Sequence, residues 1–285
     1  MYDKNHRKEV MLKIGESMDE LLDKFLISPD KNWQPTDMLP NSNNPNFLDE
    51  IKELQELSME IDYDLFAVLI GDTITEEALP TYQSWLMGLD GVDQGERKGW
   101  TQWIRAWTAE ENRHGDMLNK YLYLSGRVNM KEMEISTQYL IGDGFDIHTA
   151  TDPYKNFVYT SFQEIATNVS HRRVGEFVKK QGNNQLAKMC AFVAADEARH
   201  GSAYKEFVRR IFELDPSEMM LAFQFMMKKK ITMPAHFLRE SGEGIGDVYT
   251  YFSEAAQRAK VYTSNDYIDI LRSLLKDWDI TNIKG

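Results

Sequence analysis

The stretches EENRH at 110–114 and DEARH at 196–200 write one motif twice. Each holds a Glu-x-x-His unit, Glu111/His114 and Glu197/His200, with an acid before the glutamate and an arginine before the histidine. Residues three apart share a helix face, so each unit aims a carboxylate oxygen and an imidazole nitrogen at one point. Each unit also has a glutamate upstream: Glu76 lies 35 residues before Glu111, and Glu164 lies 33 before Glu197. Of the six histidines, only these two have Glu three positions earlier. Four glutamates and two histidines from four helices make a dinuclear iron or manganese site inside a helical bundle. The bland alternative is two solvated helix faces that happen to carry Glu and His.

The surrounding sequence suits a bundle. Segments with helical periodicity run over about 48–58, 63–89, 100–125, 129–141, 154–181, 184–212, 216–230, 246–259 and 264–278, after an amphipathic helix at 10–25. Strand signals are almost absent. Connections at 90–95, 142–152 and 181–184 are short and carry Gly, Asp and Asn, so consecutive long helices neighbour one another. The expected fold is all-α: a ferritin-like four-helix bundle core with additional flanking helices, in a single domain over residues 1–285. The segment 28–46, with Pro29, Pro35, Pro40 and Pro45, reads as an ordered loop or a strap over the bundle. Pro80 lacks the N–H that would bond the carbonyl of Glu76, which predicts a kink beside a ligand. Spacing alone does not choose between Glu76 and Glu77, which point about 100° apart on a helix.

Composition narrows the functional classes. The chain has 285 residues and a net charge of −12, which argues against nucleic acid as a partner. The single cysteine, Cys190, excludes an intrachain disulfide and suits a reducing compartment. The longest apolar run, LFAVLIG at 65–71, falls far short of the ~20 residues of a membrane span. The N-terminal MYDKNHRKEV lacks the apolar core of a signal peptide, so a cytoplasmic location is expected. Four carboxylates converging in a core repel one another unless cations lie between them, and hard oxygen donors with imidazole suit iron or manganese. Without cysteine ligands, the set differs from structural zinc sites.

Several long stretches carry a family resemblance. GDTITEEALPTYQ (71–83), WIRAWTAEENRHGDMLNKYLYLSGRV (103–128), YTSFQE (159–164), AADEARH (194–200) and KKKITMPAH (228–236) resemble the soluble acyl-acyl-carrier-protein (acyl-ACP) desaturases of the plant stearoyl type. The likeness runs from WQPTDMLP at 33–40 through AQRAKVYTSNDYIDIL at 256–271. It implies a homodimeric di-iron oxidase that takes electrons from reduced ferredoxin, activates dioxygen and removes two hydrogens from a fatty acyl chain on acyl carrier protein. Carried over by position, the ligands of two iron ions per chain are Glu76, Glu111, His114, Glu164, Glu197 and His200, which selects Glu76 over Glu77. Thr167 matches a threonine beside the oxygen-binding side of the metal pair, though a helix-face hydroxyl also bonds its own backbone. Asp196 and Glu110 are read as acids that orient the ligands. Trp33, Trp100 and His171 fall on family positions compatible with an electron path or with packing.

An unactivated C–H bond lies beyond side-chain acids and bases, so the metal pair and oxygen carry that step while the protein positions the chain. Tyr82, Trp85, Leu89, Phe162 and Met189 are candidates for an acyl channel, although helical cores need such stripes anyway. An acidic carrier protein is repelled by an acidic enzyme at long range, so docking needs a local basic patch. The run Lys228, Lys229 and Lys230 is the first candidate, with Arg172/Arg173, Lys179/Lys180 and Arg209/Arg210 as others. The segments IATNVSHRRVGEF and SWLMGLDG depart from the plant pattern near the pocket, and Trp85 and Gly88 bear on its depth. Plant members continue beyond the position of Gly285, which implies a reduced C-terminal contact surface and an untargeted member of the family. Two alternatives use the same ligands: a di-iron hydroxylase that inserts oxygen, and a ferritin-like iron-binding protein without a substrate channel.

Overall fold

Four helices carry the proposed ligands and pack side by side: α4 (Tyr63–Glu77), α6 (Gly99–Ser125), α8 (Pro153–Lys180) and α9 (Asn184–Leu214). The computed structural model describes residues 4–93, 95, 98–239 and 248–283. The start of the helix expected from 246, and the ends of the expected 1–285 domain, lie outside the described residues. Among those described there is no strand.

Sequence periodicity explains the packing. α6 buries Trp100, Trp103, Ile104, Trp107, Glu111, His114, Leu118 and Leu122, and α9 buries Met189, Val193, Glu197, His200, Tyr204 and Phe207. Steps of three and four keep these on one face, so the polar ligands sit inside an apolar stripe. Three of the four helix starts, those of α4, α8 and α9, are fixed by side-chain caps. Asp62 accepts from Leu65 N (2.9 Å), Asp152 from Tyr154 N (3.1 Å) and Asn183 from Leu186 N (2.9 Å).

The flanking helices enclose this core. α1 (Lys4–Gly15) and α2 (Asp19–Phe25) lie against α9, α3 (Phe47–Met59) against α6, and α7 (Met130–Asp143) against α4. α10 (Pro216–Lys229) packs on α8 and α9, α11 (Val248–Arg258) on α4, and α12 (Ser264–Asp277) on α8. Apolar side chains buried by these helices form one connected cluster.

Two expected helices are each two. The amphipathic stretch at 10–25 divides at residues 16–18, where Ser17 Oγ bonds Ile14 O at 3.1 Å and closes the first helix. The stretch at 63–89 breaks fully at Ala78, and α5 (Leu79–Met87) starts a new helix with Pro80 in its first turn. Proline is tolerated there because first-turn N–H groups have no intrahelical partner. The kink expected beside Glu76 is therefore a helix end, with Glu76 in the last turn of α4.

Candidate metal centre

Glu76 comes from α4, Glu111 and His114 from α6, Glu164 from α8, and Glu197 and His200 from α9. Donor atoms of Glu76, Glu111, His114 and Glu197 lie within 4.8 Å of one another, as do those of Glu111, Glu164 and His200. Glu111 belongs to both groups, so the two sites adjoin through its carboxylate. All six sequence-derived ligand candidates thus converge. Glu77 turns aside and accepts from Asn119 Nδ2 at 2.7 Å.

Each histidine is followed by glycine, a signal that sequence reasoning passed over. A Cβ at Gly115 would stand 3.1 Å from the backbone carbon of Glu76, and one at Gly201 would stand 3.3 Å from the Cβ of Glu164. The glycines let α6 approach α4, and α9 approach α8, at the level of the ligands. The two halves of the motif are related in space as they are in sequence.

The acids preceding the ligand glutamates serve the opposite half. His114 Nε2 lies 3.3 Å from Asp196 Oδ2, and His200 Nε2 lies 2.7 Å from Glu110 Oε2. A carboxylate accepts, so each Nε2 carries a proton and each Nδ1 turns inward, where it can bind a metal once deprotonated. Asp196 also accepts from Arg113 (2.6 Å), Arg199 (2.7 Å) and Trp33 Nε1 (3.0 Å). Glu110 accepts from the Arg199 guanidinium and from Ile27 N at 2.7 Å. Burial alone would raise the pKa of Asp196, but the bond from His114 and the charge of Arg199 hold it well below the ordinary carboxylate range. The arginine before each histidine is the sequence signal for this bracing. The proline-rich segment is ordered over the bundle, with the Trp33 carbonyl accepting from Arg113 at 2.8 Å.

Facing inward, His114 Nδ1 lies 2.9 Å from Glu111 Oε2, 3.2 Å from Glu197 Oε1 and 3.6 Å from Glu76 Oε2. His114 Nδ1, His200 Nδ1, Glu111 Oε1 and Glu164 Oε2 are buried without a hydrogen-bond partner. Burial, together with Glu111 and Glu197, pushes the Glu164 carboxyl well above its usual range. Buried polar atoms of native proteins are nearly always satisfied, and four orphaned ligand-type atoms pointing at common centres fit a pair of cations.

Other named residues divide. Thr167 Oγ1 lies 3.1 Å from both the Gln163 and Glu164 carbonyls and donates to Glu197, so backbone and ligand share the hydroxyl. His171 Nε2 lies 2.8 Å from Glu76 Oε1. Trp33 stacks on His114 with centroids 5.9 Å apart and planes 8° apart. Trp100 is buried away from the ligands, its Nε1 donating to Met11 O at 2.7 Å, and is a packing residue.

A cavity of about 560 Å³ adjoins the centre, touching Glu76, Glu111, Glu164 and Glu197. Its lining includes the exposed Lys230, Gln257 and Ser264 and the buried Leu79 and Tyr82. Of the five channel candidates only Tyr82 lines it. Trp85 packs on Phe145 and Tyr159, Phe162 on Tyr267, and Leu89 and Met189 are core. Lys230 lines the mouth, whereas Arg172, Arg173 and Arg209 pair with Glu176, Asp266 and Glu206.

Fold and site together define a helical-bundle protein with two adjoining carboxylate–histidine groups that could hold metal, beside a largely apolar cavity. The family model described as fatty acid desaturase matches residues 6–285, and the chain belongs to that family. The stearoyl-ACP 9-desaturase of Gossypium hirsutum is 50% identical over 259 residues, 90% of this chain and 65% of the relative. The stearoyl-ACP 9-desaturase 5 of Arabidopsis thaliana is 49% identical over 278 residues, 96% of this chain and 70% of the relative. The palmitoyl-ACP 4-desaturase 3 of Ophrys sphegodes is 49% identical, over 90% of this chain and 65% of its own. The chain therefore spans about two thirds of the length of these relatives, and overall identity does not separate their substrates. The crystal structure of DesA2 from Mycobacterium tuberculosis H37Rv shares the fold, with a TM-score of 0.60, 16% identity, and 97% and 96% of the two chains covered. No described helix is long and apolar enough to cross a membrane.

Proposed function

We propose that this protein is a di-iron, dioxygen-dependent desaturase, a single domain that introduces a double bond into a fatty acyl chain carried on acyl carrier protein. The observation that carries this reading is the cavity, which is lined by four of the candidate ligand carboxylates and mostly by apolar surface. A storage site needs no such channel, and a pocket of this size suits an extended ligand. Family membership and the names of the relatives support the same reaction class.

Glu76, Glu111, His114, Glu164, Glu197 and His200 would hold two iron ions, and the bound pair would supply the oxidising power needed to break unactivated C–H bonds. The rest of the work belongs to the chain. Asp196 and Glu110 keep the proton on Nε2 of His114 and His200, so each Nδ1 stays available. Thr167 lines the cavity and fixes one oxygen of Glu197 where substrate approaches. The apolar walls exclude water and hold the chain extended, which decides which carbons lie beside the ligands. Lys230 at the mouth, with Lys228 and Lys229 before it, offers an acidic carrier protein a local positive contact on a chain of net charge −12. Reduced ferredoxin as donor and a homodimer as assembly complete the proposal, on the strength of the motif resemblance.

The test is mass spectrometry of stearoyl- and palmitoyl-carrier-protein after incubation with iron-loaded protein, reduced ferredoxin and oxygen, beside a Glu197→Ala control. Loss of two hydrogens that vanishes in the control is expected. Gain of oxygen would make the protein a hydroxylase, and no change on either substrate would overturn the assignment.

A further inference from the structure

We propose that residues 25–34, where the proline-rich strap leaves α2, form a clasp whose closure is coupled to metal binding, an inference that rests on the two-metal centre proposed above. Among the described residues, four hydrogen bonds tie this stretch to the bundle. Ile27 N donates to Glu110 at 2.7 Å, and Trp33 Nε1 donates to Asp196 at 3.0 Å. The carbonyl of Phe25 accepts from Arg199 at 3.0 Å, and that of Trp33 accepts from Arg113 at 2.8 Å. These four partners have one property in common. Glu110, Arg113, Asp196 and Arg199 immediately precede the candidate ligands Glu111, His114, Glu197 and His200. The hydrogen bonds of the strap therefore grip both Glu-x-x-His units at the residues next to the ligands.

Apolar packing holds this stretch only weakly. No side chain from 26 to 34 is buried, and its one regular turn is Pro29–Lys31. Trp33, half-buried, lies flat on His114, and the Arg113 guanidinium stands 4.1 Å from its ring. Segments with few buried apolar contacts open locally, at a lower free energy than global unfolding. The carboxylates that receive the strap also receive the ligand histidines, Glu110 from His200 Nε2 at 2.7 Å and Asp196 from His114 Nε2 at 3.3 Å. A metal bound at Nδ1 fixes the imidazole ring, and through Nε2 it fixes the carboxylate on which the strap closes. Without cations, the repulsion among the inward carboxylates works against that order. Such coupling is reciprocal: the factor by which a filled centre favours the closed strap is the factor by which the closed strap tightens metal binding.

Hydrogen exchange with mass spectrometry, on metal-free protein and on protein loaded anaerobically with iron(II), reads the strap at Ile27, whose amide donates to Glu110. Helix α3 is the reference, since it packs on α6 near its C-terminal end, where Gln55 bonds Leu124 O at 3.0 Å. Trp33→Phe keeps a ring over His114 but cannot donate to Asp196, and competition with a chelator measures its iron(II) affinity. Iron(II) is expected to slow exchange at Ile27 about tenfold more than in α3. Trp33→Phe is expected to bind iron(II) about tenfold more weakly and to lose most of that slowing. Bound iron(II) with no slowing at Ile27, or with slowing shared equally by α3, overturns the clasp alone. So does a folded Trp33→Phe that binds iron(II) as tightly as wild type. If Trp33→Phe does not fold, the wild-type comparison decides by itself, and a wild type that binds no iron(II) overturns the clasp together with the metal centre it rests on.

Discussion

Asp196 and Glu110 each brace the histidine of the other Glu-x-x-His unit, so neither half of the centre is built independently of its counterpart. The crossing is reinforced by Arg199, which bonds both acids, and by Arg113, which bonds Asp196. Losing such an outer partner typically lowers metal affinity about 10–100-fold. Asp196→Asn and Glu110→Gln are each expected to weaken metal binding by that order in titrations of the metal-free protein, with helix content retained. Wild-type affinity in both variants would reduce these contacts to packing. The convergence of the six candidate ligands was legible because two i, i+3 pairs and their upstream glutamates form a repeat in the chain. The choice of Glu76 over Glu77 was not legible from spacing, since both sit at the end of α4. The side-chain directions distinguish them, Glu76 joining the donor group and Glu77 accepting from Asn119.

Among the elements, α11 and α12 wall the cavity and pack on α4 and α8. Phe252 of α11 rests on Gly71 of α4, where a Cβ would collide with its ring, and Arg173 of α8 pairs with Asp266 of α12. Burial alone would raise the Asp266 carboxyl, but hydrogen bonds from Arg173 and Thr263 hold it below the ordinary value. A carboxyl with a lowered folded pKa stabilises the fold fully above its unfolded pKa near ~4, and that contribution fades as pH falls through the folded value. The protection of α12 amides relative to their intrinsic exchange rates is therefore expected to fall below about pH 4 in wild type. Asp266→Asn should exchange faster at neutral pH and respond less to acid, and matching wild-type protection at neutral pH would show that the pair does not hold α12. Such ties were invisible in the sequence, because Arg173 and Asp266 are 93 residues apart and only the docking of α12 on α8 joins them. The helices were legible because their buried faces repeat every three to four residues. The break at Ala78 was read as a kink because Pro80 also suits the first turn of a new helix.

For the whole molecule, the bundle encloses a cluster of carboxylates whose mutual repulsion opposes folding, and bound cations reverse the sign of that interaction. In the metal-free chain the cluster relieves part of its charge by protonation. Glu164 is pushed well above its usual range by burial and by Glu111 and Glu197. Burial alone would lower His114, but Glu111, Asp196 and Glu197 raise it well above its ordinary value. Metal uptake should therefore release protons, which calorimetry in two buffers of different ionisation enthalpy measures directly. A ligand that binds only the folded state adds about 2.7 kcal/mol when its free concentration is about a hundredfold above Kd. For a chain of this size that corresponds to roughly 5–10 °C in Tm. Iron(II) added anaerobically should thus raise Tm by about that much, chelation should reverse it, and Glu164→Ala should shrink the gain by removing one inward oxygen. An identical Tm with and without metal, and no proton release, would mean that the six side chains do not act together as a site, however well their atoms converge.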